Sequence, residues 1–207
     1  MHDDAAREAA FARAYRMIRT TIERRTDSER RLLVGDLTKV TGLSPTPVRE
    51  ALSRLVGEGL VEELRGGGYY VPRVSARDVM EFYTLARALA LAALSEGGGQ
   101  SAHRTRRFAA AQPDIPEPPE AKIAYWFERI SIASGNKLLT VETYRLNGRM
   151  AGVRRAELAV RSDLADRLGE LGRLVEAGDQ PGQATWIEGY CGQGRDHAEE
   201  IADWLSG

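Results

Sequence analysis

The chain has 207 residues with 29 Lys+Arg against 30 Asp+Glu. That length suits two modest domains or one large one, and a net charge of −1 excludes a strongly basic nucleic-acid coat. The single cysteine, Cys191, excludes an intramolecular disulfide and a cysteine metal cluster. No apolar run approaches a membrane span, and the opening MHDDAAREAA has acidic residues and no hydrophobic core, so neither a spanning helix nor a signal peptide is expected; the expected compartment is the cytoplasm.

Ala9–Arg25 predicts an amphipathic helix, because Phe11, Ala14, Tyr15, Ile18 and Ile22 recur at intervals of three and four. Arg31–Thr41 predicts a short helix with Leu37 and Val40 inward. Gly42 then permits a tight turn, Ser44 suits an N-cap, and Pro45 and Pro47 fall in a first helical turn, where a proline loses little. Val48, Leu52 and Leu55 supply the apolar stripe of the helix that follows, while Thr46, Arg49 and Ser53 lie off it. A helix that buries one face and offers a hydroxyl, an arginine and its positive N-terminus on the other suits a DNA major groove. Taken alone, the segment fits an ordinary capped amphipathic helix better.

The flanks add specificity. Leu60–Leu64 and Tyr69–Val74 are β-prone runs around Arg65–Gly66–Gly67–Gly68, which predicts a hairpin. Helix, helix-turn-helix and hairpin, in that order, predict a winged helix with the hairpin as its wing. Residues 11–75 carry 12 basic against 8 acidic side chains, so a mildly basic domain precedes a more acidic remainder.

After Ser75 the pattern is helical. Ser75 suits the cap of a helix over Ala76–Leu94 with Val79, Phe82, Leu85, Ala86, Leu89 and Ala93 inward. Gln100–Pro119 reads as a polar, then proline-rich linker or crossing segment. Further helices are predicted over Glu120–Ser134, Leu138–Ala159 and Val160–Ala177, with one or two more over Gln183–Leu205. The fold class expected is mainly α: a winged helix-turn-helix of three helices plus a β-hairpin wing over residues 1–75, then an all-helical antiparallel bundle over 76–207.

The run LSPTPVREALSRLVGEGLVEELRGGGYYVPRVS resembles the GntR family of bacterial transcription regulators, through Ser44, Thr46–Leu52, the Leu55–Gly59–Leu60 exit, and Gly68 with Val71. The resemblance implies a homodimer binding a pseudo-palindromic double-stranded DNA operator, usually as a repressor. On it, the DNA-facing set is Ser44, Pro45, Thr46, Pro47 and Arg49, with Lys39 on the preceding helix and Arg65, Gly66 and Gly67 in the wing. A solvated hairpin arginine fits Arg65 as well, and Arg54 reads better as a solvated helix face. The chain departs from the family at two places. Pro45 stands where the family usually has a base-reading arginine, and Gly67 where it often has a second basic residue. One bidentate arginine–guanine contact is worth about 1–3 kcal/mol of discrimination, so the first departure predicts an altered or more weakly read operator without loss of phosphate-driven binding.

SGNKLL at Ser134–Leu139 and EAGD at Glu176–Asp179 resemble landmarks of the helical FCD domain found in the FadR-type branch of that family. This implies a domain for dimerisation and a small-molecule effector. Arg87 falls where such domains carry an inward, carboxylate-meeting arginine, although a surface arginine fits it equally. Many FCD domains hold a divalent ion on one aspartate and three histidines. Those positions fall here on Ile123, Phe127, Leu168 and Tyr190, or on Cys191 for the last with one insertion, so no metal or other cofactor is expected. The metal cavity is expected to be replaced by packing around Trp126, Phe127, Leu168 and Tyr190; filled packing in a domain that mainly dimerises is the favoured reading, and the alternative is a pocket for an apolar or aromatic effector, with Arg87 as a further candidate.

No nucleophile elbow, P-loop or dinucleotide fingerprint is present, so no enzyme is expected. Asp196–His197 with Glu199 and Glu200 reads better as a charged helix face than as an acid/base pair. The reading is a DNA-binding transcription regulator; the alternative is a winged-helix module for protein contact that binds DNA weakly or without specificity.

Overall fold

The computed structural model describes residues 2–23, 30–65, 67–97 and 115–207. They form two compact units, one running up to Val74 and taking in 205–207, the other spanning Ser75–Trp204. Gly66, Arg24–Arg25 and residues 98–114, which include His103 and most of the expected linker, lie outside the described residues.

The first unit contains α1 (His2–Glu23), β1 (Arg30–Leu32), α2 (Val34–Thr41), α3 (Pro45–Gly57), β2 (Glu62–Glu63) and β3 (Tyr69–Val71). Ala14 and Ile18 of α1 are buried against Val48, Ala51, Leu52 and Leu55 of α3, with Phe11, Tyr15 and Ile22 packed at the edge, so the predicted stripes meet as a core. Two expectations for the next segment require correction. Arg31 and Leu32 belong to a strand rather than a helix: β1 pairs antiparallel with β3, Arg31 opposite Tyr70, which makes the sheet three-stranded in the order β1-β3-β2. Val40 is 65% exposed, and Thr41 takes the inward place beside Leu37. Thr41 can be buried because its hydroxyl donates to the Leu37 carbonyl at 2.7 Å. Gly42 ends α2 in the left-handed region at φ 68°, which a side chain would resist.

The second unit is all helix: α4 (Ala76–Glu96), α5 (Pro119–Ser134), α6 (Lys137–Arg149), α7 (Ala151–Val160), α8 (Leu164–Ala177), α9 (Gln180–Asp196) and α10 (Ala198–Ser206). Ser75 and Asp78 form a reciprocal capping box at the start of α4. Asn136 caps α6 by accepting from Leu138 and Leu139 and donates to Glu96. The expected single helix over Leu138–Ala159 is two, broken at Met150, and Val160 ends α7 rather than starting α8. On α4, Leu85 is exposed and Leu89 only half-buried, while Tyr83 and Ala90 are buried, so the inward face is rotated from the expected one. The cause is the close approach of α9: a Cβ on Gly194 would lie 2.4 Å from Tyr83 Cζ, so Tyr83 occupies the space of a missing side chain.

Candidate functional site

Helix α3 buries Pro47, Val48, Ala51, Leu52 and Leu55 and leaves Ser44, Pro45, Thr46, Arg49 and Ser53 at the surface. Pro47, expected among the DNA-facing residues, is therefore a core residue. Ser44 occupies the N-cap position with extended backbone, but its side chain makes no capping hydrogen bond. Prolines at 45 and 47 carry no N–H, so Thr46 contributes the one backbone donor of this first turn. The exposed end of α3 thus offers two hydroxyls, one free amide and the Arg49 guanidinium rather than a full crown of amides.

The neighbouring charges are sorted by ion pairs. Arg54 Nε donates to Glu58 Oε1 at 2.8 Å, and Glu58 also accepts from the Tyr15 hydroxyl at 2.7 Å. Burial raises the Tyr15 pKa and the bond to Glu58 adds to this, while Arg19 opposes it. Glu50 pairs with Arg7, and Lys39 pairs loosely with Asp36 at 3.3 Å. Arg49 and Arg65 are exposed and have no carboxylate partner among the described residues.

The wing closes through Leu64 N–H to Gly68 O at 2.9 Å and Gly67 N–H to Leu64 O at 3.0 Å. Gly67 and Gly68 have φ of 94° and 109° and leave this tip without side chains. Sequence reasoning missed Arg31, whose exposed guanidinium comes within 3.6 Å of where a Gly68 Cβ would stand. The available signal was the alternation of Arg31 with the buried Leu32, a period of two that a helical reading hides.

Residues 11–71 match the family described as bacterial regulatory proteins, gntR family. The match runs from Phe11 in α1 to the end of β3, less than a third of the chain. No curated protein sequence matches the chain. Among solved structures, one described as a transcriptional regulator GntR from Rhodococcus sp. RHA1 is similar at 14% identity and TM-score 0.69, over 92% of this chain and 97% of that one. McbR/YncC of E. coli is similar at 19% identity and TM-score 0.62, over 87% of this chain and 94% of that one. A structure reported for Lar, which controls expression of the Listeria monocytogenes agr system, is similar at 12% identity and TM-score 0.53, over 89% and 95%. At these identities the likenesses show a shared fold: a GntR-like winged helix followed by a helical domain.

In the helical unit, the expected effector residues separate. Arg87 does not point inward; it is 49% exposed and its Nη2 pairs with Glu188 at 2.8 Å. Trp126, Phe127, Leu168 and Tyr190 are all buried. Trp126 packs over Gly172, and Tyr190 is ringed by Trp186 (centroids 5.2 Å), Tyr83 (5.6 Å) and Phe127 (5.8 Å). Where the resemblance puts metal ligands stand Ile123, Phe127 and Leu168, which carry no donor atom, and Tyr190, whose hydroxyl donates to Glu157 Oε2 at 2.8 Å. That donor set does not fit a divalent ion. At the neighbouring position, burial pushes the Cys191 thiol up to about 12.

What the sequence reading did not see is a charged core. Arg154, Glu157 and Arg161 occupy one face of α7 and its end, at intervals of three and four, and all three are buried. Arg161 reaches Glu157 and Gln193, and Gln193 also accepts from Arg167. Burial raises the Glu157 pKa, against the opposing pull of its hydrogen bonds and of the Arg161 charge.

Proposed function

We propose that this chain is a bacterial DNA-binding transcription regulator that acts as a homodimer on a pseudo-palindromic operator, in the sense of a repressor. The observation that carries the reading is α3: one face is core, and the other presents Ser44, Thr46 and the exposed Arg49 at the helix N-terminus, inside a GntR-family domain. Arg49 is the candidate for base or phosphate contact. Arg65 and Arg31 supply cations to the wing, with Lys39 as a further phosphate contact. Pro45 removes a guanidinium from the helix start, so the bases read there differ from the family's usual ones. The helical unit is proposed as an FCD-type domain of the FadR branch that dimerises and takes a small-molecule effector without a metal ion. Such a regulator works in the cytoplasm, where its duplex partner lies.

Retention of the purified full chain on mixed duplex DNA, measured against salt, tests the reading. A regulator neutralising several phosphates should show log K falling with log salt at roughly −0.9 per phosphate. A flat salt response, with no sequence enriched from a random duplex pool, would overturn it in favour of a protein-contact module.

A further inference from the structure

Helices α1 and α3 meet along two rows of residues, each spaced by four. On α1 the row is Arg7, Phe11, Tyr15 and Arg19; on α3 and its C-cap it is Glu50, Arg54 and Glu58. Arg7 donates to Glu50, and the Tyr15 hydroxyl donates to Glu58 Oε2 at 2.7 Å. Both contacts join residues 43 apart in the chain, so the rows meet in one register with the two helices running in the same sense. The two rungs are eight residues apart on each helix, about 12 Å along the axis.

Neither rung is placed for stability. Arg7 and Glu50 lie at the surface, their side chains 66% and 34% exposed, where an ion pair contributes little. Glu58 stands at the C-cap of α3, where its charge opposes the helix dipole. It is held there by Tyr15 and by Arg54 Nε at 2.8 Å, while Arg19 Nη1 donates to the Tyr15 hydroxyl at 2.9 Å. What the rungs supply is register. The apolar contact behind them is non-directional, and Ala14 and Ala51, both fully buried in it, have little shape with which to resist a slide or a tilt. The polar rows do resist. Sliding α3 by one turn, about 6 Å, would set Arg7 against Arg54 and Phe11 against Glu58, a like-charge pair beside a carboxylate without its donor.

Arg49 adjoins Glu50, so the first rung fixes the end of α3 that carries the reading arginine and the second fixes the far end. A direct base contact needs donor and acceptor within about 2.7–3.2 Å, so a small tilt of α3 loses it. Attraction to phosphates acts over roughly a Debye length and survives the same tilt. We propose that Arg7 and Tyr15 are positioning residues for base reading: through Glu50 and Glu58 they pin both ends of α3 and set the sequence discrimination of the domain. This rests on the regulatory reading above.

The test compares the full-length wild type with Tyr15→Phe, Arg7→Gln and the double variant. Anisotropy titrations use two probes, the duplex most enriched by the wild type from a random pool and a mixed-sequence duplex, and the readout is the ratio of the two affinities. Tyr15→Phe changes no charge at neutral pH and keeps the ring that stacks on Phe11 at 6.2 Å. It should lower the ratio about fivefold or more, and the double variant further, with mixed-duplex affinity changed less than about twofold and Tm by less than about 2 °C. Glu58→Gln keeps an acceptor for Tyr15 and should keep most of the ratio, whereas Glu58→Ala should lose it as Tyr15→Phe does. A merely structural role would lower both affinities together along with Tm. The proposal is overturned by that pattern, by a ratio unchanged in Tyr15→Phe and the double variant, or by a salt slope in Arg7→Gln reduced by about one phosphate's worth, which would make Arg7 a direct contact. A wild type that enriches no sequence overturns the regulatory reading and this proposal together; one that enriches a sequence, with variants that discriminate as well, overturns this proposal alone.

Discussion

Substituting Gly194 by alanine puts the packing of α4 on α9 to a quantitative test. An alanine Cβ there would lie 2.4, 2.5 and 2.7 Å from Cζ, Cε1 and Cε2 of Tyr83. A relaxed carbon contact is about 3.5–4.0 Å, so the ring would have to retreat by roughly 1 Å. Tyr83 is fully enclosed and its edge meets Tyr190 at 5.6 Å, which leaves it nowhere to go without disturbing the aromatic cluster. Overpacking of this kind costs about 1–3 kcal/mol, offset by the roughly 1 kcal/mol that alanine gains over glycine inside a helix. The net expectation is a loss of about 0–2 kcal/mol, or up to roughly 8 °C in Tm for a chain of this size. Gly169 on α8 is the internal control: it is exposed, and a Cβ added there would meet no atom within 4 Å. Gly169→Ala should therefore raise Tm by about 2–4 °C through propensity alone. Both are read by circular dichroism melts at one fixed protein concentration, since any dimer makes Tm depend on it. Equal Tm changes in the two variants, or a rise with Gly194→Ala, would refute the packing argument.

Arg49→Ala should weaken specific operator binding by about 1–3 kcal/mol while leaving the fold intact; unchanged affinity in a fluorescence-anisotropy titration removes Arg49 from the reading set. Arg31→Ala should lower the magnitude of the salt slope by about one phosphate's worth per protomer, and a slope equal to the wild type's would detach Arg31 from the wing contact. Native Cys191 is buried with its pKa pushed up to about 12, so it should resist a thiol reagent at roughly pH 8 and become reactive only as denaturant opens the helical unit; rapid labelling of the folded chain would contradict its placement. Glu157 has a native pKa raised above 4.5, so the folded state holds this proton more tightly than the unfolded one. Its contribution to stability is then fully present below pH 4.5 and declines as pH rises through the raised value. Glu157→Gln should abolish that decline, and a stability difference between the two proteins that does not change with pH would count against it.

Much of the first unit was legible because its signals are local. The stripe of Ala14 and Ile18, the Val48–Leu52–Leu55 spacing and the Gly42 turn are each fixed by neighbours a few residues away, and each stands where the pattern put it. Strand β1 was not legible: three residues carry too short a pattern, and their partner β3 lies far along the chain, beyond α2, α3 and β2. The same limit hid Arg31 from the wing. In the helical unit, the amphipathic rule sends arginine and glutamate outward, so Arg154, Glu157 and Arg161 were overlooked; the inward reading of Arg87 came from the family resemblance, and of its two readings the surface one holds. Only the packing of α5, α7 and α9 around Tyr190 shows which charges have partners within reach.

By itself, then, the sequence determined most of the helices, the helix-turn-helix with its wing and most of the face that α3 turns to solvent, since propensity, capping and periodicity are properties of adjacent residues. Tertiary structure decided which arginines are buried and which are spent on ion pairs. It also decided that Pro47 belongs to the core and that the third strand of the sheet comes from before α2. Those outcomes depend on residues far apart in the chain meeting at a few ångströms, where desolvation and the presence or absence of a partner set the energy.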